Sequence, residues 1–253
     1  MPGAMPRLRS LLAALALGAA VVLPAAPRPL QAAPASATQL QALEAALNSG
    51  NDITPLLETG PGLDPTLMEL RRRTLVRQFP DAQWQLRPGT PLRDGSPTVL
   101  VSVSGTRTDG ATQYRLEANQ VITLESSGGR INGQTVIKDQ SILRSGEALP
   151  VKVQIPDAVL TGQRYDVDVL FEEPLDGAVA AGGIVALTPQ QLAALESPDI
   201  QLGALGGGGL FKTVQAPLNP GSQTWAVLLV HPDGIVSTTK RVRVVADKSQ
   251  LNP

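Results

Sequence analysis

The sequence predicts an α+β unit, with helices packed on a curved antiparallel sheet, followed by an all-β sandwich. Three observations carry this expectation. Apolar residues recur at helical spacing as far as Phe79 and at strand spacing from Ala82 onward. The strand-like runs after Ala82 are divided by Asp94-Gly95, Asp109-Gly110 and Gly128-Gly129, which is hairpin rather than crossover chemistry. Beyond Pro150, about seven further short runs crowd into roughly 95 residues, the density of two packed sheets. Hydrophobic residues make up 42 % of the 253 and charged residues 17 %, so a packed core is available and wholesale disorder is excluded.

The first element is a targeting segment. Arg7 and Arg9 open the chain with positive charge, and an apolar run from Leu11 to Leu23 follows, too short for a comfortable membrane span. In the Ala- and Pro-rich stretch beyond it, Ala33-Pro34-Ala35 and Ala35-Ser36-Ala37 both satisfy the small-x-small cleavage rule. Residues 1–37 are therefore read as a signal peptide cut after Ala37. The mature chain is expected in the periplasm, another extracytoplasmic space or the medium. Cleavage removes Arg7, Arg9 and Arg28 but no acid, which leaves a mildly acidic protein, and no second apolar run approaches membrane-spanning length.

Thr38 is placed to cap a helix carrying Leu40, Leu43 and Leu47 on one face, stopped by Asn48-Ser49-Gly50-Asn51. A helical turn is expected over Ile53–Leu57, and Gly60-Pro61-Gly62 then breaks the chain. Asp64 caps a longer helix with Pro65 at its first position, where the missing N–H costs nothing. Leu67, Leu70, Leu75 and Phe79 continue its apolar spacing up to Pro80. Arg71, Arg72 and Arg73 in its middle are expected to form a solvated face, with one stem lying over apolar surface.

Strands are expected over Ala82–Leu86, Thr98–Arg107, Gln113–Ser126 and Arg130–Leu143, with one face buried and the other wet. Two or three helices followed by four long antiparallel strands, ending in Arg130-Ile131-Asn132-Gly133-Gln134-Thr135-Val136-Ile137, resemble the nuclear-transport-factor-2-like fold. That resemblance covers roughly residues 38–145 and implies a strongly curved sheet wrapped around a helix to form a cone. Enzymes of that family often use an Asp and His pair in the cone. This segment has no histidine, so the resemblance implies instead the binding of small hydrophobic ligands or partner proteins.

Ser145-Gly146-Glu147 and Pro150 mark the expected boundary between a first domain at 38–147 and a second at 148–253. Strands in the second are expected at Val151–Ile155, Tyr165–Phe171, Val179–Leu187, Ile200–Leu205, Leu210–Val214, Thr224–Val230 and Ile235–Val245, with a helical turn at Gln190–Glu196. This pattern resembles an immunoglobulin-like (Ig-like) sandwich, without the disulfide of antibody domains. Together the two halves resemble exported bacterial proteins of unknown function.

Composition narrows the role. Aromatic residues are only 3 % of the chain and the formal charge is −1, which argues against stacking on bases and against a phosphate-binding face; no nucleic acid is expected. With no cysteine, thiol nucleophiles and thiolate zinc sites are excluded, and His231 is the only histidine. The acidic run Asp166, Asp168, Glu172, Glu173 and Asp176 is a weak calcium candidate in residue type; it lacks loop spacing, and outward acids on an edge strand also deter aggregation. Gly206-Gly207-Gly208-Gly209 lacks the Lys-Ser/Thr pair of a phosphate cradle and reads as a flexible hairpin or bulge. His231 and Asp233 share a turn and read as its local hydrogen bonding. Trp84, Tyr114 and Ile122 are candidates to line a ligand cavity in the first domain. No catalytic set, metal or cofactor is expected. The predicted role is a non-enzymatic binding or assembly module that contacts a protein partner in the envelope. The alternative is a carrier of a small apolar ligand, or a weak enzyme, using the cone.

Overall fold

Serine at position 36, not Thr38, starts the first helix. Its hydroxyl accepts the Gln39 N–H at 3.3 Å while the Gln39 side chain accepts the Ser36 N–H at 2.9 Å, closing a capping box that launches α1 (Ala37–Ser49). Gly50, with φ of 77°, ends it in the left-handed conformation that favours glycine. A 3₁₀ turn over Thr54–Leu56 leads to α2 (Pro65–Gln78), which begins as expected: the Asp64 carboxylate accepts the Leu67 N–H at 3.0 Å and Pro65 opens the helix. The structure is a computed structural model and describes residues 32–146, 149–173, 178–205 and 208–253.

The rest is mostly antiparallel β. Ahead of α1 lies a two-residue strand β1 (Ala33–Pro34). After α2 come β2 (Gln83–Pro88), β3 (Val99–Asp109), β4 (Thr112–Ser127) and β5 (Arg130–Gly146). The second half holds β6 (Val151–Gln154), β7 (Ala158–Leu160), β8 (Arg164–Phe171), β9 (Ala180–Leu187), α3 (Pro189–Ala194), β10 (Gly203–Leu205), β11 (Gly209–Gln215), β12 (Gly221–His231) and β13 (Gly234–Val245). Two of these were not expected from the sequence, β1 and β7, and both are too short to show a period.

Strand pairing joins the halves. The large sheet runs β10-β9-β12-β13-β5-β4-β3-β2, with β1 added along β4 and β7 along β13. The seam is β13 against β5, in register from Gly234 opposite Gly146 to Lys240 opposite Gln140. A second, three-stranded sheet in the order β11-β8-β6 faces the C-terminal part of the large one. Among the described residues two large apolar clusters result, besides a small one around Leu187 and Ala226. One holds Leu43, Leu75, Phe79, Trp84 and Leu116 under the helices. The other holds Val167, Val169, Trp225, Leu229 and Val242 between the sheets. Among the described residues no helix is long and apolar enough to cross a membrane.

The Gly60-Pro61-Gly62 break is also a clasp. The Gln134 N–H donates to the Pro61 carbonyl, and the Glu58 N–H to that of Ile131, so this loop runs beside the start of β5. A Cβ on Gly60 would lie 1.8 Å from the Asn132 carbonyl oxygen, and one on Gly62 2.1 Å from that of Gln134. Only glycine permits so close a backbone approach.

Candidate functional site

Helix α2 turns charge inward. Arg71 and Arg72 are 3 % and 4 % exposed, and only the Arg73 side chain reaches solvent. The expectation of a solvated arginine face is thus corrected for two of the three. The reason is the partner one turn back: Glu69, itself buried, accepts from Arg72 Nε at 2.9 Å and Nη2 at 2.7 Å, and also from Arg73 Nε and the Ile53 N–H. The fork from Arg72 holds the Glu69 carboxyl down at about 2 despite its burial. Arg72 Nη2 also reaches the Gly50 carbonyl at 3.4 Å, so this group ties α2 to the end of α1.

Arg71 points elsewhere. On the face of the sheet beneath the helices, Gln120 of β4 and Asp139 of β5 are register partners, both buried, and Gln120 Nε2 has no hydrogen-bond partner among the described residues. Burial pushes the Asp139 carboxyl above the usual carboxylate range, against the fields of Arg241, Lys240 and Arg71. Burial likewise lowers the Arg71 guanidinium to about 10 and lowers that of Arg241. Arg71 Nε and Nη2 have no hydrogen-bond partner. Beside this group the Ser141 and Thr239 hydroxyls meet at 2.6 Å across the β5–β13 seam. One acid and two guanidiniums from three distant elements therefore share a buried, polar layer. Perturbed, desolvated groups of this kind mark functional sites as well as structural networks.

On the opposite face, Asp157 lies between Lys138 (2.9 Å) and Lys240. Burial alone would raise its carboxyl, but hydrogen bonds from the two lysines outweigh it and hold it low. Next to them is a depression of about 230 Å³ lined by Leu100, Ser102, Asn119, Val121, Lys138 and Lys240.

The two ends of the large sheet differ. At β2 three of the outer backbone groups are satisfied by α1. Asn48 accepts the Trp84 N–H and donates to the Trp84 carbonyl, both at 2.8 Å, and Glu44 accepts the Leu86 N–H at 2.7 Å. At the other end, among the described residues, β10 pairs with β9 alone, and Gly203 and Ala204 are exposed. Val179 (80 % exposed) stands just ahead of β9 and Leu202 (45 %) just ahead of β10, while Phe211 (65 %) lies on the second sheet opposite Asp168, on its outer face.

The residues singled out in the sequence are not gathered in one place. Trp84, Tyr114 and Ile122 are buried together in the first apolar core; the Arg107 guanidinium lies over Tyr114 at 5.0 Å. Asp166 and Asp168 share the outer face of β8, and each spends an oxygen on β11: Asp166 accepts from the Thr213 hydroxyl at 2.7 Å and Asp168 from the Lys212 N–H at 3.3 Å. Glu172 and Glu173 follow the end of β8, and Asp176 lies outside the described residues, as do Gly206, Gly207 and most of the targeting segment. Among the described residues no three His, Cys, Asp or Glu side chains gather closely enough to hold a metal ion. His231 Nδ1 accepts the Asp233 N–H at 3.3 Å and lies 3.2 Å from the Asp233 carboxylate, which closes the β12–β13 turn.

Sequence reasoning missed the Arg71–Asp139–Arg241 layer. One signal was available: Asp139 shares its strand parity with Ser141 and Leu143, on the face that Leu116 and Ala118 mark as inward. No such signal existed for Arg241, because in a free-standing sandwich its side of β13 would face solvent.

A family profile described as "Domain of unknown function (DUF8623)" matches residues 146–245, from the end of β5 to the end of β13. No curated protein matches the chain.

Proposed function

We propose that this chain is an exported, non-enzymatic binding or assembly module acting by protein–protein contact, and that it takes an extended segment of a partner along β10. The observation that carries this reading is the asymmetry of the large sheet. Asn48 and Glu44 cover the β2 edge, whereas among the described residues β10 is paired on one side only, with exposed Leu202 just ahead of it and exposed Val179 just ahead of its partner β9. An unpaired edge offers main-chain hydrogen bonds for affinity, and flanking apolar side chains supply the desolvated contacts. In this reading the first half is a nuclear-transport-factor-2-like cone, supported by helices laid on the antiparallel β2–β5 sheet. The second is an Ig-like sandwich, supported by two facing sheets with an apolar cluster of their own. The division at 147–148 is supported by the two separate clusters.

The test is crosslinking of the tagged full chain in its native envelope, compared with Val179→Asp and Leu202→Asp. Both positions are exposed, so the fold is expected to tolerate the charge. A stoichiometric partner captured by the wild type and reduced about tenfold in both variants supports the reading, since about 1.4 kcal/mol is lost per tenfold. A partner retained equally by all three, or found with none, sinks it.

Asp139 favours the second reading, a small-ligand carrier or weak enzyme, because a desolvated acid suits proton transfer. Under it, Asp139→Asn abolishes turnover or binding of a small apolar probe while partner capture is unchanged.

A further inference from the structure

We propose that the export signal is cut at the Ala32–Ala33 bond, so that residues Ala33 to Ala37 stay in the mature protein. The inference rests on the export reading above and refines it from the way the fold uses the residues just ahead of α1. Ala33 and Pro34 are paired with Ser126 and Glu125 of β4, and the next residue continues the ladder, the Ala35 N–H donating to the Leu124 carbonyl at 2.9 Å. The Ser126 hydroxyl reaches the Ala33 carbonyl at 3.4 Å, and Ala35 packs against the first apolar core. Ser36 then enters both hydrogen bonds of the capping box that starts α1, its hydroxyl accepting from the Gln39 N–H and its N–H donating to the Gln39 side chain.

A cut after Ala37, although it satisfies the small-x-small rule, deletes all of these contacts. It leaves the charged α-amino group of Thr38 inside the first turn of α1, where the helix dipole is itself positive and disfavours a cation. A cut after Ala35 strips β1 and places that charge on the capping serine. Ala32 is the last alanine whose removal with the signal spares every contact. It is small and lies nearer than Ala37 to the end of the apolar run at Leu23, while Leu30, two places before it, is larger than the small-x-small rule asks. The step is amide hydrolysis by a membrane-bound signal peptidase. Water adds its oxygen to the Ala32 carbonyl carbon, the C–N bond breaks, Ala32 keeps the carboxylate and Ala33 takes the proton as the new α-amine.

The test is to express the full chain with a C-terminal tag in an exporting Gram-negative host and to determine the N-terminus of the exported form by intact mass and sequencing. A start at Ala33 is expected. A start at Ser36 or Thr38 overturns the inference and leaves export standing, whereas an uncut chain retained in the cytoplasm overturns export and the inference together. Two variants of the same full chain separate the sites. A charged residue before the scissile bond blocks processing, so Ala32→Glu lowers the processed fraction about tenfold while Ala37→Glu leaves it unchanged. The reverse pattern overturns the assignment.

Discussion

Asp139 and Glu69 are both buried carboxyls, yet they respond to burial in opposite directions. Glu69 meets a bidentate guanidinium and ionises more easily; for Asp139 desolvation outweighs the fields of Arg241, Lys240 and Arg71. Removing the acid from a buried charge group strands its partners, whereas replacing a desolvated cation with an apolar side chain relieves a cost. Asp139→Ala should therefore lose about 3–5 kcal/mol in urea unfolding, and Arg71→Met should fall within about 1 kcal/mol of the wild type or above it. A mild Asp139→Ala and a severe Arg71→Met would mean that the layer is held by Arg71 packing instead. The pH dependence follows the same logic. Glu69 has its folded value depressed to about 2 from 4.5, so its contribution is present above pH 4.5 and is lost as the pH falls through about 2. Glu69→Gln should flatten that acid limb in thermal melts from pH 5 down to about 2. For Asp139, raised from 3.8, the contribution is present below that value and fades as the pH rises.

At the scale of elements, α1 is more than a cover for the apolar core. Its Asn48 amide pairs with both backbone groups of Trp84, as a neighbouring strand would, and its Glu44 carboxylate accepts the Leu86 N–H. An edge left unpaired is a template for other chains. Asn48→Ala should cost about 1–3 kcal/mol through the two orphaned groups. It should also raise light scattering on concentration, while Asn48→Asp, which keeps the acceptor for the Trp84 N–H, should lie between. Equal scattering by wild type and Asn48→Ala would show that the helix, not its amide, closes the edge. The helix boundaries were legible because caps are local. Ser36 forms the box with Gln39 three residues on, although Thr38 with Gln41 presents the same local pattern, so which of the two caps the helix is not decided by spacing alone. The burial of Arg72 was legible in principle, from Glu69 one turn before it, but which of three consecutive arginines faces inward depends on what the helix lies against.

For the whole molecule, the β5–β13 seam makes one sheet out of two apolar cores. Each core contains one tryptophan, Trp84 in the first and Trp225 in the second, where the Trp225 indole N–H donates to the Tyr165 hydroxyl at 2.9 Å. If the seam couples the cores, the chain unfolds in one step. In Trp84→Phe and in Trp225→Phe, the fluorescence midpoint of the remaining tryptophan should coincide with the far-ultraviolet circular dichroism midpoint. Separated midpoints would show that the cores melt independently and that the seam carries little energy.

Much of the secondary structure was readable from the chain alone, since caps, hairpin turns and the switch from helical to alternating spacing are written within a few residues of where they act. Val167, Val169 and Phe171 declare a strand wherever they fold, and Asp64-Pro65 declares a helix start. The candidate site was far less legible. The Arg71–Asp139–Arg241 layer, the parallel pairing of β7 with β13 and the contrast between a β2 covered by α1 and a β10 paired, among the described residues, on one side only all depend on which strand lies beside which. Ser141 and Thr239 meet across 98 residues of chain. No local period encodes such a meeting; it is decided when the two apolar faces close and the only way to bury both is to share one sheet.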